Sequence, residues 1–274
     1  MNAPTATGPD PFLVESKLTG RVAFVTGGTR GIGAAICRSL AAQGAAVAAG
    51  YSRRRDNAER FRDGLKELGV SASIHHGNVG SAADCARTVA EVIEQHGRLD
   101  ILVNNAGITA DKTVISMSAE GWGTVIAVNL SGAFFCSQAA LGHMLERGTG
   151  RIVNISSLAG QTGNIGQANY AASKSGMFGL TRTMALEAAH ALFRAGQAGD
   201  DTIGLTVNCV APGYTTTEMV ASVPDKVLDR VRASIPVRRL GRPDDIARVV
   251  HFLCADASSY VTGQVWGVNG GLDM

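Results

Sequence analysis

Short apolar runs recur along the chain, and each is followed by a longer stretch whose apolar positions return every three or four residues. RVAFVT (21–26), AAVAAGY (45–51), SASIHH (71–76), DILVNNAG (100–107), RIVNISS (151–157), GLTVNCV (204–210) and QVWGVNG (264–270) predict seven strands. Helices are predicted at about 31–43, 56–68, 81–97, 119–146, 168–195 and 243–254, with a further helical excursion after the sixth strand. The early strands are apolar without alternation, as strands buried on both faces should be. Strand and helix alternating in this way give an α/β fold, a doubly wound parallel sheet of about seven strands with helices on both faces.

No linker or shift in composition splits the chain, so residues 20–274 read as a single domain. Residues 1–19 read as a flexible arm rich in Pro, Thr and Gly, without the basic flank and apolar run of a secretory signal. RAGQAGDDT (194–202) reads as a surface loop. No apolar run approaches the ~18 residues of a membrane span.

Composition narrows the function. Hydrophobic residues make up 45% and charged residues 18% of the 274, which suits an ordered globular protein. A net charge of +2 is too small to argue for nucleic acid or a membrane surface as partner. Five scattered cysteines without CxxC spacing read as reduced thiols of a cytoplasmic protein. The six histidines lack metal-ligand spacing, and no metal is expected.

Between the first strand and first helix stands TGGTRGIG (26–33). Gly27, Gly31 and Gly33 let the backbone turn tightly and approach a ligand, while the helix start offers free N–H groups to a pyrophosphate. In an alternating α/β chain that position makes the fold Rossmann-type and predicts a dinucleotide, held also by Thr29, Arg30 and Ile32. An acid at the tip of the second strand would mark NAD. Here Tyr51 is followed by Ser52, Arg53, Arg54 and Arg55. Guanidinium groups match a 2′-phosphate in charge and shape, so NADP(H) is predicted, with Arg30 and Arg53 as phosphate contacts.

Several motifs in order resemble the short-chain dehydrogenase/reductase family. They are the TGxxxGxG turn, NNAG at Asn104–Gly107, VNL giving Asn129, Ser157 thirteen residues before Tyr170, YxxxK at Tyr170–Lys174, and Pro212-Gly213. The resemblance spans about 20–274. VNGGLDM, IPVRRLGRPDDIA and GNIGQANYAASK look most like bacterial 3-oxoacyl thioester reductases acting on CoA or acyl-carrier-protein substrates.

Tyr170 and Lys174 are i and i+4 on a predicted helix and share a face. A phenol titrates near ~10. A neighbouring ammonium is expected to lower that value, so that the phenol can protonate a carbonyl oxygen as hydride arrives at the carbon. Ser157 can hold the same oxygen as charge develops. Strand alternation sends Ser156 to the opposite face. The resemblance further implies that Lys174 bonds the nicotinamide ribose and that Asn129 holds a water. It places Asn78 and Val79 at the adenine, and Asn105, Ala106 and Gly107 under the ribose. Pro212, Gly213 and Thr215 fall at the carboxamide.

A lid is expected over about 214–240. Gln167 and Tyr214 resemble positions facing the acyl group in acetoacetyl-CoA reductases, with Asn164 and Ile165 shaping the same wall. Arg147, Arg151 and Arg194 are candidates for docking a phosphate-bearing carrier. The resemblance also implies a homotetramer built through the 119–146 and 168–195 helices. The expected activity is NADPH-dependent reduction of a 3-oxoacyl thioester. Oxidation of a sugar, polyol or steroid alcohol is the alternative, and a non-catalytic NADPH sensor the third.

Overall fold

The structure, a computed structural model, describes residues 18–199, 202–218 and 225–274. Most of the arm expected at 1–19 and part of the 194–202 loop and 214–240 lid lie outside those residues. The strands are β1 (Val22–Val25), β2 (Ala46–Tyr51), β3 (Ala72–His76), β4 (Ile101–Asn104), β5 (Thr149–Ile155), β6 (Gly204–Pro212) and β7 (Val265–Val268). They form one sheet in the order β3-β2-β1-β4-β5-β6-β7, every pair parallel. The order reverses between β1 and β4, and that switch point is where a doubly wound sheet opens a crevice at its strand C-termini.

The helices are α1 (Gly31–Ala42), α2 (Arg55–Glu67), α3 (Ala82–His96), α4 (Ala119–Ile126), α5 (Gly132–Glu146), α6 (Leu158–Thr162), α7 (Ala168–Arg194), α8 (Asp225–Ser234) and α9 (Pro243–Cys254). Two buried clusters lie on opposite faces of the sheet. One joins Ala23 and Val25 of β1 to Ile36, Leu40, Ile246 and Val250 of α1 and α9. The other joins Val22 and Phe24 of β1 to Val89, Met144, Met184 and Leu192 of α3, α5 and α7. Successive side chains leave a strand on opposite faces, so a run such as VAFV must be apolar throughout.

The helix expected over 119–146 is broken. A π-helical turn, Ala127–Ser131, separates α4 from α5, and Gly132 N–H reaches back five residues to Ala127 O. Such a turn often marks a functional position, and Asn129 sits at its middle. Ala119–Glu146 as a whole is long and apolar enough to cross a bilayer by length and composition, with a mean hydropathy of 1.5, against the sequence reading that no run approached this. Much of its apolar content is core: Val125, Ala133, Cys136, Ala140 and Met144 are buried.

The N-terminal edge of the sheet carries a charged cluster. Asp100, 1% exposed, accepts from Arg98 Nε and Nη2 at 2.7 and 2.6 Å, with Arg147 3.9 Å away. Arg151 is buried at the same edge and donates to Gly150 O and Gly204 O. Arg194 closes α7, 24 residues beyond Tyr170, or ~36 Å at 1.5 Å per residue. The three arginines expected to dock a carrier therefore lie on the side of the sheet opposite its strand C-termini.

Candidate active site

The turn after β1 is built to bring backbone close to a ligand. A Cβ on Gly33 would stand 2.3 Å from Gly27 O, and one on Gly27 would stand 3.2 Å from Ala106 Cα. Gly27 and Gly31 adopt φ of +62° and +52°, the left-handed region where glycine costs least. Asn105 staples the turn to β4: its Nδ2 donates to Thr26 O at 2.9 Å and Gly27 O at 3.2 Å. Thr26 Oγ1 accepts from Asn105 N and Ala106 N, both at 3.0 Å. The Asn105 side chain thus holds the cradle's shape from behind. Arg30 occupies the N-cap of α1 without a capping side-chain bond, and no acid lies in the first turn. An uncapped helix start with the positive end of its dipole fits a pyrophosphate.

Asn104 draws the centre together. Its Nδ2 donates to Ser137 Oγ and Asn154 Oδ1, both at 2.8 Å, and Asn154 Nδ2 continues to Thr181 Oγ1 at 2.9 Å. This buried chain ties β4 and β5 to α5 and α7. Ser156 and Ser157 diverge, as alternation predicts. Ser156 is buried and donates to Lys174 O at 2.7 Å. Ser157 caps α6, its Oγ accepting from Ala159 N at 3.2 Å, and it acts on the Tyr170 phenol, whose proton affinity it lowers.

Lys174 is 3% exposed; its Nζ donates to Ile155 O at 2.8 Å and stands 5.7 Å from the Tyr170 ring centre. Asn129 is fully buried: Oδ1 accepts from Ile108 N at 2.8 Å, and Nδ2 donates to Ile108 O at 3.0 Å and Ser173 Oγ at 3.1 Å. Both Nδ2 hydrogens are thus used within the protein, and Oδ1 accepts one bond. A Cβ on Gly107 would lie 3.4 Å from both Asn129 Oδ1 and Lys174 Nζ. The bare glycine is what lets the loop after β4 lie against these groups.

Electrostatics differ from the sequence expectation. Burial pushes the Tyr170 phenol above its ordinary value, the Ser157 hydrogen bond opposes this, and Asp111 adds a further upward push. Burial pushes Lys174 down to about 8, with Cys209 opposing. The lysine expected to acidify the phenol is not among the groups that shift it; Tyr170 is half-buried and Lys174 buried, and desolvation penalises both charged forms.

Around the mouth, Gln167 N-caps α7 and links two loops. Its Nε2 donates to Asp111 Oδ2 and its Oε1 accepts from Asn164 Nδ2, both at 2.9 Å. Val114, Ile115, Ile165, Tyr214 and Val237 are exposed apolar side chains. Asp111 and Asn169 were missed by sequence reasoning. Asn169 is buried, donates to Ala110 O and Gly121 O, and its Oδ1 accepts from Tyr170 N, so it sets the start of α7. Partners 56 residues apart, as Gln167 and Asp111 are, leave no local signal.

Along the neighbouring strand ends, Tyr51 closes β2 with its ring tilted 60° to that of His76, centroids 5.4 Å apart. Asn78 and Val79 follow β3, and a Cβ on Gly132 would stand 2.8 Å from Val79 O. Pro212 ends β6, and Gly213 N donates to Val268 O at 3.0 Å. Thr215 is buried with Oγ1 donating to Gly213 O at 3.1 Å, so its hydroxyl braces the turn. The unpredicted Thr217 lies closest to where a Gly31 side chain would be, at 3.7 Å. Arg55 pairs with Glu59 and Arg30 with Glu218, each at 2.9 Å. Arg53 is exposed and free of such a partner among the described residues.

Comparison with known proteins agrees with this geometry. The family model described as Enoyl-(Acyl carrier protein) reductase matches residues 27–273. The acetoacetyl-CoA reductase of Rhizobium meliloti (strain 1021) is 46% identical over 92% of this chain and 98% of its own. The 3-oxoacyl-acyl-carrier-protein reductase of Staphylococcus aureus (strain Mu50) is 41% identical over 94% of this chain and all of its own. A crystal structure from Sinorhizobium meliloti 1021, provisionally assigned as a short-chain alcohol dehydrogenase, superposes with a TM-score of 0.86 at 37% identity, covering 94% of this chain and 98% of its own. With the glycine turn, the Ser–Tyr–Lys cluster and near full-length matches in hand, the chain belongs to the short-chain dehydrogenase/reductase family, whose members use a nicotinamide cofactor.

Proposed function

We propose that this enzyme reduces the ketone of a 3-oxoacyl thioester to the 3-hydroxyacyl thioester, with NADPH as reductant. The observation that carries the reading is buried Lys174 with its Nζ 5.7 Å from the Tyr170 ring centre, beside an uncapped helix start, with Ser157 lowering the proton affinity of the phenol. The bound nicotinamide supplies hydride to the carbonyl carbon. Ser157 and Tyr170 direct two hydroxyls at the carbonyl oxygen, and Tyr170 transfers its proton there as charge builds. Lys174, pushed down to about 8 by burial, is the cation beside that phenol. Asn129 locks the π-turn against the loop after β4.

The glycine turn, α1 start, Asn78, Val79, Asn105–Gly107, Lys174, Pro212 and Gly213 would hold the dinucleotide. Arg53 and Arg30 favour NADPH over NADH, and Arg30 must leave Glu218 to serve. Gln167 and Tyr214, with the apolar rim at Val114, Ile115 and Ile165, face the acyl group. The thioester substrate follows the two curated relatives, which are named for acetoacetyl-CoA and 3-oxoacyl carrier-protein reduction. Five buried free thiols support a cytoplasmic site. Exposed Phe134 on α5 and Leu186 and Phe193 on α7 support assembly of a homotetramer through those helices.

The test is loss of NADPH absorbance with acetoacetyl-CoA and longer 3-oxoacyl thioesters, against NADH and a panel of sugars, polyols and steroid ketones. The reading expects thioesters with NADPH to turn over fastest. Faster turnover of a sugar or steroid would refute the substrate. Tight NADPH binding with no turnover of any carbonyl would refute the enzyme.

A further inference from the structure

The adenine end of the cofactor site is braced from outside by charged side chains on α3. Asn78 N donates to Asp84 Oδ2 at 2.8 Å. Arg87 Nη2 donates to His76 O at 2.9 Å and to Asp84 Oδ1 at 3.2 Å. One carboxylate and one guanidinium thus grip the peptide groups on either side of Gly77. Gly77 itself is pressed to the same helix, since a Cβ there would stand 2.8 Å from the Thr88 methyl.

The grip continues inward. Arg87 Nη1 donates to Glu91 Oε1 at 2.7 Å, and Glu91 Oε2 lies 3.3 Å from His75 Nδ1. His75 is 4% exposed, and its Nε2 shares Ser73 Oγ with His96 Nε2, at 2.8 and 2.7 Å. Asp84, Arg87 and Glu91 stand at i, i+3 and i+7 of one helix face, the spacing of an ordinary solvated ion-pair row. Such a row has no need of main-chain groups outside its helix. This one is tied to two of them, and its inner end rests on a buried imidazole.

The grip has a consequence for the base. Asn78 Oδ1 accepts from Gly80 N at 3.0 Å, which identifies the amide oxygen and leaves Nδ2 as the group without a protein partner among the described residues. Fixing the Asn78 backbone fixes where that donor points.

We infer that Asp84, Arg87 and Glu91 are positioning residues for the adenine half of the dinucleotide, acting through Asn78. The inference rests on the reading of the chain as a nicotinamide-dependent reductase. None of the three touches the reacting atoms, so their loss should weaken the hold on adenine and spare hydride transfer. Asp84→Ala and Arg87→Ala separate the two effects when NADPH is compared with reduced nicotinamide mononucleotide, which lacks the adenylate half.

Nicotinamide fluorescence titration gives both dissociation constants without turnover. In each variant Kd for NADPH should rise about three- to tenfold, as the Asn78 amide loses its fixed direction. Kd for the mononucleotide should stay within about twofold, as should kcat at saturating NADPH. Arg87→Lys, which keeps the charge, should recover part of the loss. NADPH affinity unchanged in both alanine variants would overturn the inference. So would a proportional loss with both ligands, which is the mark of general damage. A parent chain that binds NADPH but reduces no carbonyl would sink the reductase reading alone, and the two Kd values would still decide the role of the row.

Discussion

Replacing Lys174 by Met should stabilise the fold at neutral pH while disabling the site. Lys174 is 3% exposed, and burial pushes it from its ordinary 10.5 down to about 8. At about 1.4 kcal/mol per pH unit, keeping the ammonium charged in the folded state costs about 3 kcal/mol at pH 7. Its folded value lies below its unfolded one, so the cost is fully present below pH 8 and fades as pH rises towards 10.5. Methionine removes that cost and fits a similar volume, but it orphans Ile155 O, now bonded by Nζ at 2.8 Å. The orphaned carbonyl takes back about 1–3 kcal/mol. The net gain at pH 7 should be about 0–2 kcal/mol.

The dependence on pH is the sharper quantity, because the lost hydrogen bond cancels from it. Between pH 7 and 10 the parent should gain about 2.5 kcal/mol relative to Lys174→Met. Urea unfolding of both proteins at the two pH values, followed by circular dichroism at one protein concentration, measures this. If the stability difference between parent and variant stayed the same at both pH values, the ammonium would not be a buried, destabilised charge, and the reasoning would fail.

Gly33→Ala should cut NADPH affinity at least tenfold and cost about 1–3 kcal/mol of stability, since its Cβ would meet Gly27 O at 2.3 Å; fluorescence titration and thermal unfolding check both. Glu218→Gln should tighten NADPH about two- to fivefold, by releasing an exposed Arg30, and leave NADH unchanged; competitive titration at low and high salt tests it, and the gain should shrink with salt. Burial lowers the values of both His75 and His96, so the unfolded chain takes up protons first as pH falls below ~6.5. The urea midpoint should therefore drop between pH 7.5 and 5.5, and less steeply in a His75→Gln/His96→Gln double variant.

Much of this was legible because it is local or periodic. Seven apolar runs became seven strands, and the Tyr170–Lys174 spacing needs only a helix. Glycine positions in TGGTRGIG mark close approach wherever the turn is placed. What the sequence hid depends on contacts between distant segments. The π-turn at Asn129 breaks a helix whose local pattern runs on unbroken. Arg147 and Arg151 look like solvent-facing cations until the sheet puts them at its N-terminal edge. Desolvation is the largest influence on the proton affinities of Tyr170 and Lys174, and one helical turn of sequence carries no information on it. Arg30 reads as a phosphate ligand in the turn, while its partner Glu218 is 188 residues away.

The central claim is that the Tyr170 hydroxyl donates the proton to the ketone. Single-turnover reduction of acetoacetyl-CoA by Tyr170→Phe, with NADPH affinity and circular dichroism measured on the same sample, addresses it directly. Loss of one general acid predicts a fall of about 10²–10⁴-fold in rate with NADPH affinity unchanged. A phenylalanine variant that reduced the ketone at the parent's rate would contradict the account.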